Sequence, residues 1–379
     1  LIMIVAAFAA LVGNGGAPRA SIFMGQRDTE SAEKTLGNCF LTQLIISAIL
    51  TIVLLIGNRT FLLSFGASEN TIEYAVSYMN IYAIGTLFVQ LTLGMNAFIT
   101  AQGFAKTGML SVLIGAVTNI ILDPIFIYGL HMGVRGAALA TIISQGLSCI
   151  WILRFLTGKK TRLRLKKSDM HLEKRIVIPC LGLGLGPFVM QATDALLNIA
   201  FNSSLQHYGG DIAVCCMTIS STIQQMVWIP VQGIGQGAQP IISYNYGARR
   251  PQKVRQAGIT MAVLALIYTL LIWSVILAAP RFLIGIFSSD QALMTDTVPA
   301  MKLYFAAFIF KALNKKKYAI FFSILRKVII VVPLTYILPY ALNIGPNGVF
   351  MAEPVSNVIG GSLCFIVMLA TVLPELKRM

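Results

Sequence analysis

The sequence predicts an all-α integral membrane protein in which two similar helical bundles surround a central cleft. Hydrophobic residues make up 56% of the chain and charged residues only 11%, whereas a soluble domain carries about 25% charged residues. Long uncharged runs alternate with short charged loops, and the second half of the chain repeats the first. Together these three observations exclude an ordinary soluble fold.

Eleven runs, uncharged apart from Asp123 and Asp194, locate the predicted helices, because about 20 apolar residues cross a hydrocarbon core of about 30 Å. The runs in the first half are residues 1–18, 39–57, 74–101, 107–130 and 136–153. The runs in the second half are residues 176–201, 212–248, 256–280, 303–310, 328–351 and 354–374. All of them are long enough to cross a bilayer except the run 303–310.

The distribution of basic residues predicts the orientation in the membrane. The net charge is +15, and many of the Lys and Arg residues lie in the linker between Arg154 and Arg175. Basic loops stay in the cytoplasm, so we expect a multi-pass protein of the inner (cytoplasmic) membrane. We interpret the linker as a solvated, lipid-facing topology signal. Because the basic residues flank apolar runs, we expect the lipid bilayer as a partner and no nucleic acid.

A tandem repeat relates the two halves of the chain. Residues 13–18 resemble residues 235–240, and Tyr82 matches Tyr304 at the same offset of 222. Matched loops carry matched basic charge, which indicates a parallel repeat. The predicted organisation is an N-terminal bundle with helices 2–6 (1–157), a basic cytoplasmic linker (158–175) and a C-terminal bundle with helices 7–12 (176–379).

The repeat also predicts two missing pieces of a design with six helices in each half. The run 176–201 opens the second copy, and its counterpart would precede residue 1, so we expect helix 1 to be absent. Between Tyr304 and Ser323 the offset falls from 222 to 212. This change predicts a shortened helix 10.

Asp123 is the only charged residue between Thr107 and Leu130. A carboxylate at membrane depth is costly, so it marks a functional site by default. Asn119 lies one helical turn earlier on the same face, and Pro124 cannot donate a hydrogen bond to a preceding carbonyl. These residues predict a site for a proton or a small cation; the alternative is an Asp that only hydrogen-bonds a neighbouring helix.

Residues 119–127 on the fifth helix and 133–141 leading into the sixth resemble the multidrug and toxic compound extrusion (MATE) family, in its bacterial DinF/MepA-like branch. The resemblance covers essentially the whole chain. It implies a secondary antiporter, not an enzyme, that exports amphipathic, often cationic, drug-like compounds in exchange for protons or sodium ions by alternating access. We expect a monomer without cofactor or resident metal, with sodium as a candidate ligand at Asp123.

The resemblance also implies roles for individual residues. Asn119, Asp123 and Thr141 match three of the four residues of the family's N-terminal cation site, whose fourth residue is an Asp on helix 1. Asp194 is a candidate second titrating group, with a hydrogen bond to Asn198 as the alternative. The candidate residues lining the cleft are Gln191, Asn198, Gln236 and Gln239. The candidate hinges are Pro18, Pro124 and Pro240.

Two alternative functions stay open at this point. A lipid-linked oligosaccharide flippase of the same superfamily would share the fold, although such flippases tend to carry several cationic residues in the cavity. An inactive or partial copy of a MATE transporter would follow from the missing helix 1 and the shortened helix 10.

Overall fold

A computed structural model describes residues 2–64, 72–285, 297–299, 324–341, 345–356, 358–359 and 362. Within these ranges the chain is helical apart from short connections and contains no β-strand, which confirms the all-α class. The main helices are α1 (Ile2–Gly25), α2 (Thr29–Ser64), α3 (Ile72–Ala101), α4 (Ala105–Pro124), α5 (Gly133–Thr157), α6 (Lys174–Gly247), α7 (Pro251–Ala278), α8 (Pro280–Gly285) and α9 (Val332–Ala341). There are also two π-helices (Ile125–Gly129 and Ile324–Val331) and a 3-10 turn (Lys167–Asp169), and residues 346–356 are helical as well.

Seven helices of the described residues are long and apolar enough to cross a membrane. They are α1, α2, α3, α4 with the π-helix that follows it, α5, the segment Lys174–Asp194 of α6, and α7. The protein is therefore a multi-pass membrane protein. The predicted short helix at 303–310 lies outside the described residues, as does most of the run 354–374.

The chain divides into two compact units, and the division falls inside α6. The first unit contains residues 1–188 and 239–254, and the second contains residues 189–238 and 255–379. The predicted division at the linker 158–175 stays a prediction. Contacts of the N-terminal part of α6 with α1 explain the observed boundary, since the rings of Phe188 and Phe8 pack in a tilted arrangement with centroids 5.0 Å apart.

Both ends of α6 pack against α1 at glycines. A Cβ atom on Gly15 would lie 1.9 Å from the carbonyl oxygen of Cys180, and one on Gly25 would lie 2.1 Å from that of Tyr244. A straight helix from Cys180 to Tyr244 would be about 96 Å long, far more than the ten residues of α1 between the two contacts. The chain therefore reverses direction along α6, and small residues on α1 allow the close approach.

The basic linker is docked on the first unit rather than merely solvated, which corrects the sequence-based interpretation. Its residues alternate: Thr161, Leu163 and Leu165 are buried, and the basic residues between them are exposed. The side-chain oxygen of Gln102, after α3, accepts hydrogen bonds from Thr161 Oγ1 at 2.8 Å and from the N–H of Leu163 at 2.9 Å. Leu163 is fully buried in the core of this unit.

Residues of α2 hold the second part of the linker. Glu33 accepts a hydrogen bond from the N–H of Arg164 at 3.0 Å and also pairs with the ammonium of Lys166. Further along, Asn38 Oδ1 accepts one from the N–H of Glu173 at 2.7 Å. The linker thus presents a row of basic side chains from a fixed backbone at the predicted cytoplasmic end of the unit.

Candidate cation site

Asn119 and Asp123 form a hydrogen-bonded pair on α4 in the first unit. Asn119 Nδ2 donates to Asp123 Oδ1 at 3.2 Å, so the two side chains share one face of the helix, as their spacing predicts. Both residues are half-buried, whereas Ile120 between them is 70% exposed. The amide and the carboxylate therefore lie on the more protected side of an apolar helix.

The helix changes its hydrogen-bonding pattern directly after this pair. Helix α4 ends at Pro124, and the π-helix Ile125–Gly129 follows. The N–H of Leu130 donates to the carbonyl of Ile125, five residues earlier, at 2.8 Å. Proline has no N–H to donate, and π-helical turns are frequent at functional sites. The predicted hinge at Pro124 thus coincides with a local irregularity in the helix.

The other two candidate hinges lie within helical segments. Pro18 lies within α1, and α6 continues through Pro240. Both residues are half-buried. A hinge role for either residue stays a prediction.

Thr141 lies on α5, which runs antiparallel to α4. Trp151 Nε1 donates to the carbonyl of Thr107 at 3.3 Å, and Ser148 Oγ donates to that of Ser111 at 2.8 Å. Continuing this register by two helical turns places Thr141 at the membrane level of Asn119. The Thr141 hydroxyl donates to the carbonyl of Ala137 at 2.9 Å, which leaves the lone pairs of its oxygen as acceptors.

The Asp123 carboxylate has no basic partner in the part of the chain that the structure describes. The ion pairs found there join Lys34 with Glu30, Arg59 with Glu73, Lys166 with Glu33 and Lys327 with Asp194. The same residues contain no cluster of three or more His, Cys, Asp or Glu side chains that could hold a metal ion. The described contacts bring together one carboxylate and one amide, those of Asp123 and Asn119; participation of Thr141 in the site stays a prediction.

Asp194, in the second unit, is in a different environment. Its Oδ1 lies 2.5 Å from Lys327 Nζ, and the same ammonium donates to the carbonyl of Met190 at 3.1 Å. Lys327 was missed by the sequence analysis because it directly precedes the uncharged run 328–351 and resembles a loop residue. A role for Asp194 as a titrating group stays a prediction, now with a basic partner identified.

The candidate cleft residues are placed only in part. Gln191 and Gln239 are half-buried and Gln236 is exposed. The side chain of Asn198 lies outside the part of the chain that the structure describes. Their role in lining a cleft stays a prediction.

Two multidrug export proteins of staphylococci are similar to this chain in sequence. The multidrug export protein MepA of Staphylococcus haemolyticus is 25% identical over 291 residues, which cover 77% of this chain and 64% of the relative. MepA of Staphylococcus aureus is 24% identical over 306 residues, 80% of this chain and 67% of the relative. The chain therefore spans less than two thirds of the first relative's length.

Solved structures share the fold, and a family model matches the sequence. A MATE transporter in its straight conformation superposes with a TM-score of 0.89 at 23% identity, covering 100% of this chain and 87% of the other. An outward-facing multidrug resistance MATE transporter of the MOP superfamily gives 0.86 at 24% identity, with 96% and 84% covered. The family model described as MatE matches residues 1–125 and 188–345, well over half of the chain. The chain belongs to the MatE family, a family of membrane transporters and not of enzymes.

Proposed function

We propose that this chain acts in multidrug efflux, as a secondary antiporter that exports amphipathic, often cationic, compounds in exchange for protons or sodium ions by alternating access. The names of the similar MepA proteins of the two staphylococci support export of drugs. The expected partners are drug-like small molecules and the bilayer, and the expected state is a monomer. No cofactor takes part in the proposed cycle.

The observation that carries this proposal is the Asn119–Asp123 hydrogen bond within an apolar helix. An acid at this depth is retained for a function in most membrane proteins. Its described neighbour is a neutral amide, so its negative charge is available to a cation that enters from solution. A proton or a sodium ion is the proposed occupant.

The proposed cycle follows from neutralisation of this charge. A coupling cation at Asp123 removes the net charge of the site and favours one arrangement of the helices, whereas a cationic substrate favours the arrangement with the ionised acid. Each ligand shifts the population according to its differential affinity for the two states. The change from α- to π-helix after Pro124 offers a place where α4 can adjust without breaking regular helix elsewhere.

Thr141 supplies a third oxygen in this proposal. Its hydroxyl hydrogen is already donated to Ala137, so the oxygen faces a cation as an acceptor only. Carboxylate, amide and hydroxyl oxygens are the ligands expected for a hard monovalent cation. The proposed set is therefore Asp123, Asn119 and Thr141.

The test is ion-driven efflux of ethidium from vesicles that contain the full-length protein. Asp123→Asn keeps the size of the side chain and removes its charge, so we expect coupled efflux to fall to background while the amount of folded protein is unchanged. The matched control is Glu73→Gln, the same type of change at an exposed acid paired with Arg59, which should keep wild-type efflux. Undiminished efflux in Asp123→Asn would remove this site from the mechanism.

The same vesicles test the two alternatives. A flippase would move a lipid-linked oligosaccharide across the bilayer and leave ethidium unaffected by an ion gradient. An inactive copy would move neither substrate although it is folded and inserted.

A further inference from the structure

The second unit contains an ion pair between Lys327 and Asp194 that the proposed cycle does not use. Lys327 lies in the π-helix Ile324–Val331, and its side chain is 4% exposed. Its ammonium lies 2.5 Å from Asp194 Oδ1 and 3.1 Å from the carbonyl oxygen of Met190. Met190 and Asp194 are one turn apart on α6, so one face of that helix holds the positive charge with two oxygens.

The burial of the two partners is unequal. The side chain of Lys327 is almost fully buried, whereas that of Asp194 is 54% exposed. A buried ammonium is costly unless it is paired and hydrogen-bonded. The half-exposed carboxylate of Asp194 depends less on the ion pair for its stabilisation, because groups outside the chain can contact it directly. Without Lys327, the Asp194 carboxylate and the Met190 carbonyl would remain beside the vacated space, which borders the exposed side of Asp194.

The two units thus contain comparable acids with different neighbours. Asp123 accepts a hydrogen bond from a neutral amide, and Asp194 pairs with a cation that belongs to the chain itself. We propose that Lys327 is a tethered cation: its ammonium occupies, in the second unit, a monovalent-cation site formed by Asp194 and the carbonyl of Met190. This inference rests on the proposed function, because it confines the mobile coupling ion to the Asp123 site.

The competing explanation is that Lys327 and Asp194 form a purely structural ion pair. The two explanations predict different behaviour of the remaining acid after Lys327 is removed. A structural pair leaves an unpaired acid that binds no particular ion. A tethered cation leaves a site that takes up a free cation of the same charge, and sodium is the probe of choice. The experiment therefore looks for a gained response to sodium rather than for a loss.

The experiment measures thermal unfolding of the purified full-length protein in sodium chloride and in choline chloride at equal ionic strength. The pH is about 8.5, where an ordinary carboxyl group is ionised. All variants carry Asp123→Asn, which silences the proposed site of the first unit. Lys327→Ala opens the site, Lys327→Arg keeps a tethered cation, and Lys327→Ala with Asp194→Asn removes the anion as well.

We expect sodium to stabilise only the variant with Lys327→Ala, by about 2 °C at a concentration ten times the dissociation constant. The Arg variant and the variant without the Asp194 carboxylate should not respond. Absence of a sodium response in folded Lys327→Ala protein would overturn the inference, and so would an equal response without the Asp194 carboxylate. Should Lys327→Ala not fold, Lys327→Ser opens the same space with a hydroxyl group and is judged by the same criteria.

This outcome is independent of the ethidium assay. Failure of the proposed function appears as undiminished efflux in Asp123→Asn alone, without any change at Lys327. If Lys327 is not a tethered cation, the unfolding curves of the Lys327→Ala variant show no response to sodium, whatever the transport result.

Discussion

Asp123 in the first unit and Asp194 in the second both lie in apolar helical segments that are candidate membrane spans, yet their environments differ. Asp123 is half-buried beside the amide of Asn119, and Asp194 is half-exposed beside the buried ammonium of Lys327. A carboxylate in a membrane-spanning segment is therefore not by itself a coupling site. Its nearest partner decides whether its charge is available to a mobile ion or already neutralised by the chain.

The largest expected difference between the two acids is in stability. Asp194→Asn removes the carboxylate beside the buried ammonium of Lys327. We expect a loss of about 2 kcal/mol, less than the roughly 3–5 kcal/mol for breaking a fully buried pair, because Asp194 is half-exposed. Asp123→Asn keeps a hydrogen-bonding oxygen for Asn119 and should cost less than about 1 kcal/mol. Thermal unfolding in detergent measures both variants.

The control for this prediction removes both charges of the second unit. Asp194→Asn combined with Lys327→Met should regain most of the lost stability, since no unpaired charge is then buried. Equal destabilisation by Asp123→Asn and Asp194→Asn would abolish the distinction between the two sites.

Asn119→Ala should reduce ion-driven efflux less than Asp123→Asn does. The change removes one hydrogen bond to a charged group, about 1.5 kcal/mol, so we expect ion-driven ethidium efflux to fall about tenfold. Because Asn119 acts through Asp123, the double variant with Asp123→Asn should be no worse than Asp123→Asn alone. Additive losses in the double variant would show that Asn119 acts elsewhere.

Thr141→Val should have a still smaller effect, about a threefold loss of efflux, because it removes a single neutral ligand oxygen. The matched control is Thr157→Val near the end of α5, whose hydroxyl donates in the same way to the carbonyl of Leu153 at 2.8 Å. We expect that control to transport like the wild type. Equal losses in the two Thr variants would assign the effect to the helix and not to the cation site.

The smallest effect on stability is expected for the linker ion pair of Lys166 with Glu33, in which the lysine is half-exposed and the carboxylate is buried. In the pair of Lys327 with Asp194 the lysine is the buried partner. The hydrogen bond to Glu33 raises the pKa of Lys166 above its usual 10.5. The ion pair therefore contributes its full stabilisation of the fold at neutral pH and up to about pH 10.5. This stabilisation is lost as the pH rises through the raised pKa of Lys166. The stability difference between wild type and Lys166→Met should be small, constant near neutral pH and reduced only above about pH 10.5; a change near neutral pH would contradict this assignment.

The sequence predicted what depends on local spacing and composition. The helical class followed from uncharged runs, and the shared face of Asn119 and Asp123 followed from a separation of one helical turn. The alternation of Thr161, Leu163 and Leu165 with basic residues was also visible and is typical of a half-buried extended segment. The net basic charge of the linker obscured that signal.

The pairing of Asp194 with Lys327 could not be predicted in the same way. The two residues are 133 positions apart, and no periodicity connects them. Lys327 borders an apolar run, where a lysine usually marks the end of a membrane span, and only the packing of the π-helix on α6 shows that it is buried. The contacts of both ends of α6 with α1 were likewise inaccessible, because they depend on where the chain reverses.

The most direct test of the difference between the two acids is the dependence of ethidium binding on the coupling cation in the full-length protein. Binding is titrated with sodium and, separately, with protons in the wild type, in Asp123→Asn and in the double variant Asp194→Asn with Lys327→Met. We expect the cation to weaken ethidium binding in the wild type and in the double variant, and to have no effect in Asp123→Asn. A cation effect that persists in Asp123→Asn and disappears in the double variant would place the coupling site at Asp194 and contradict the account.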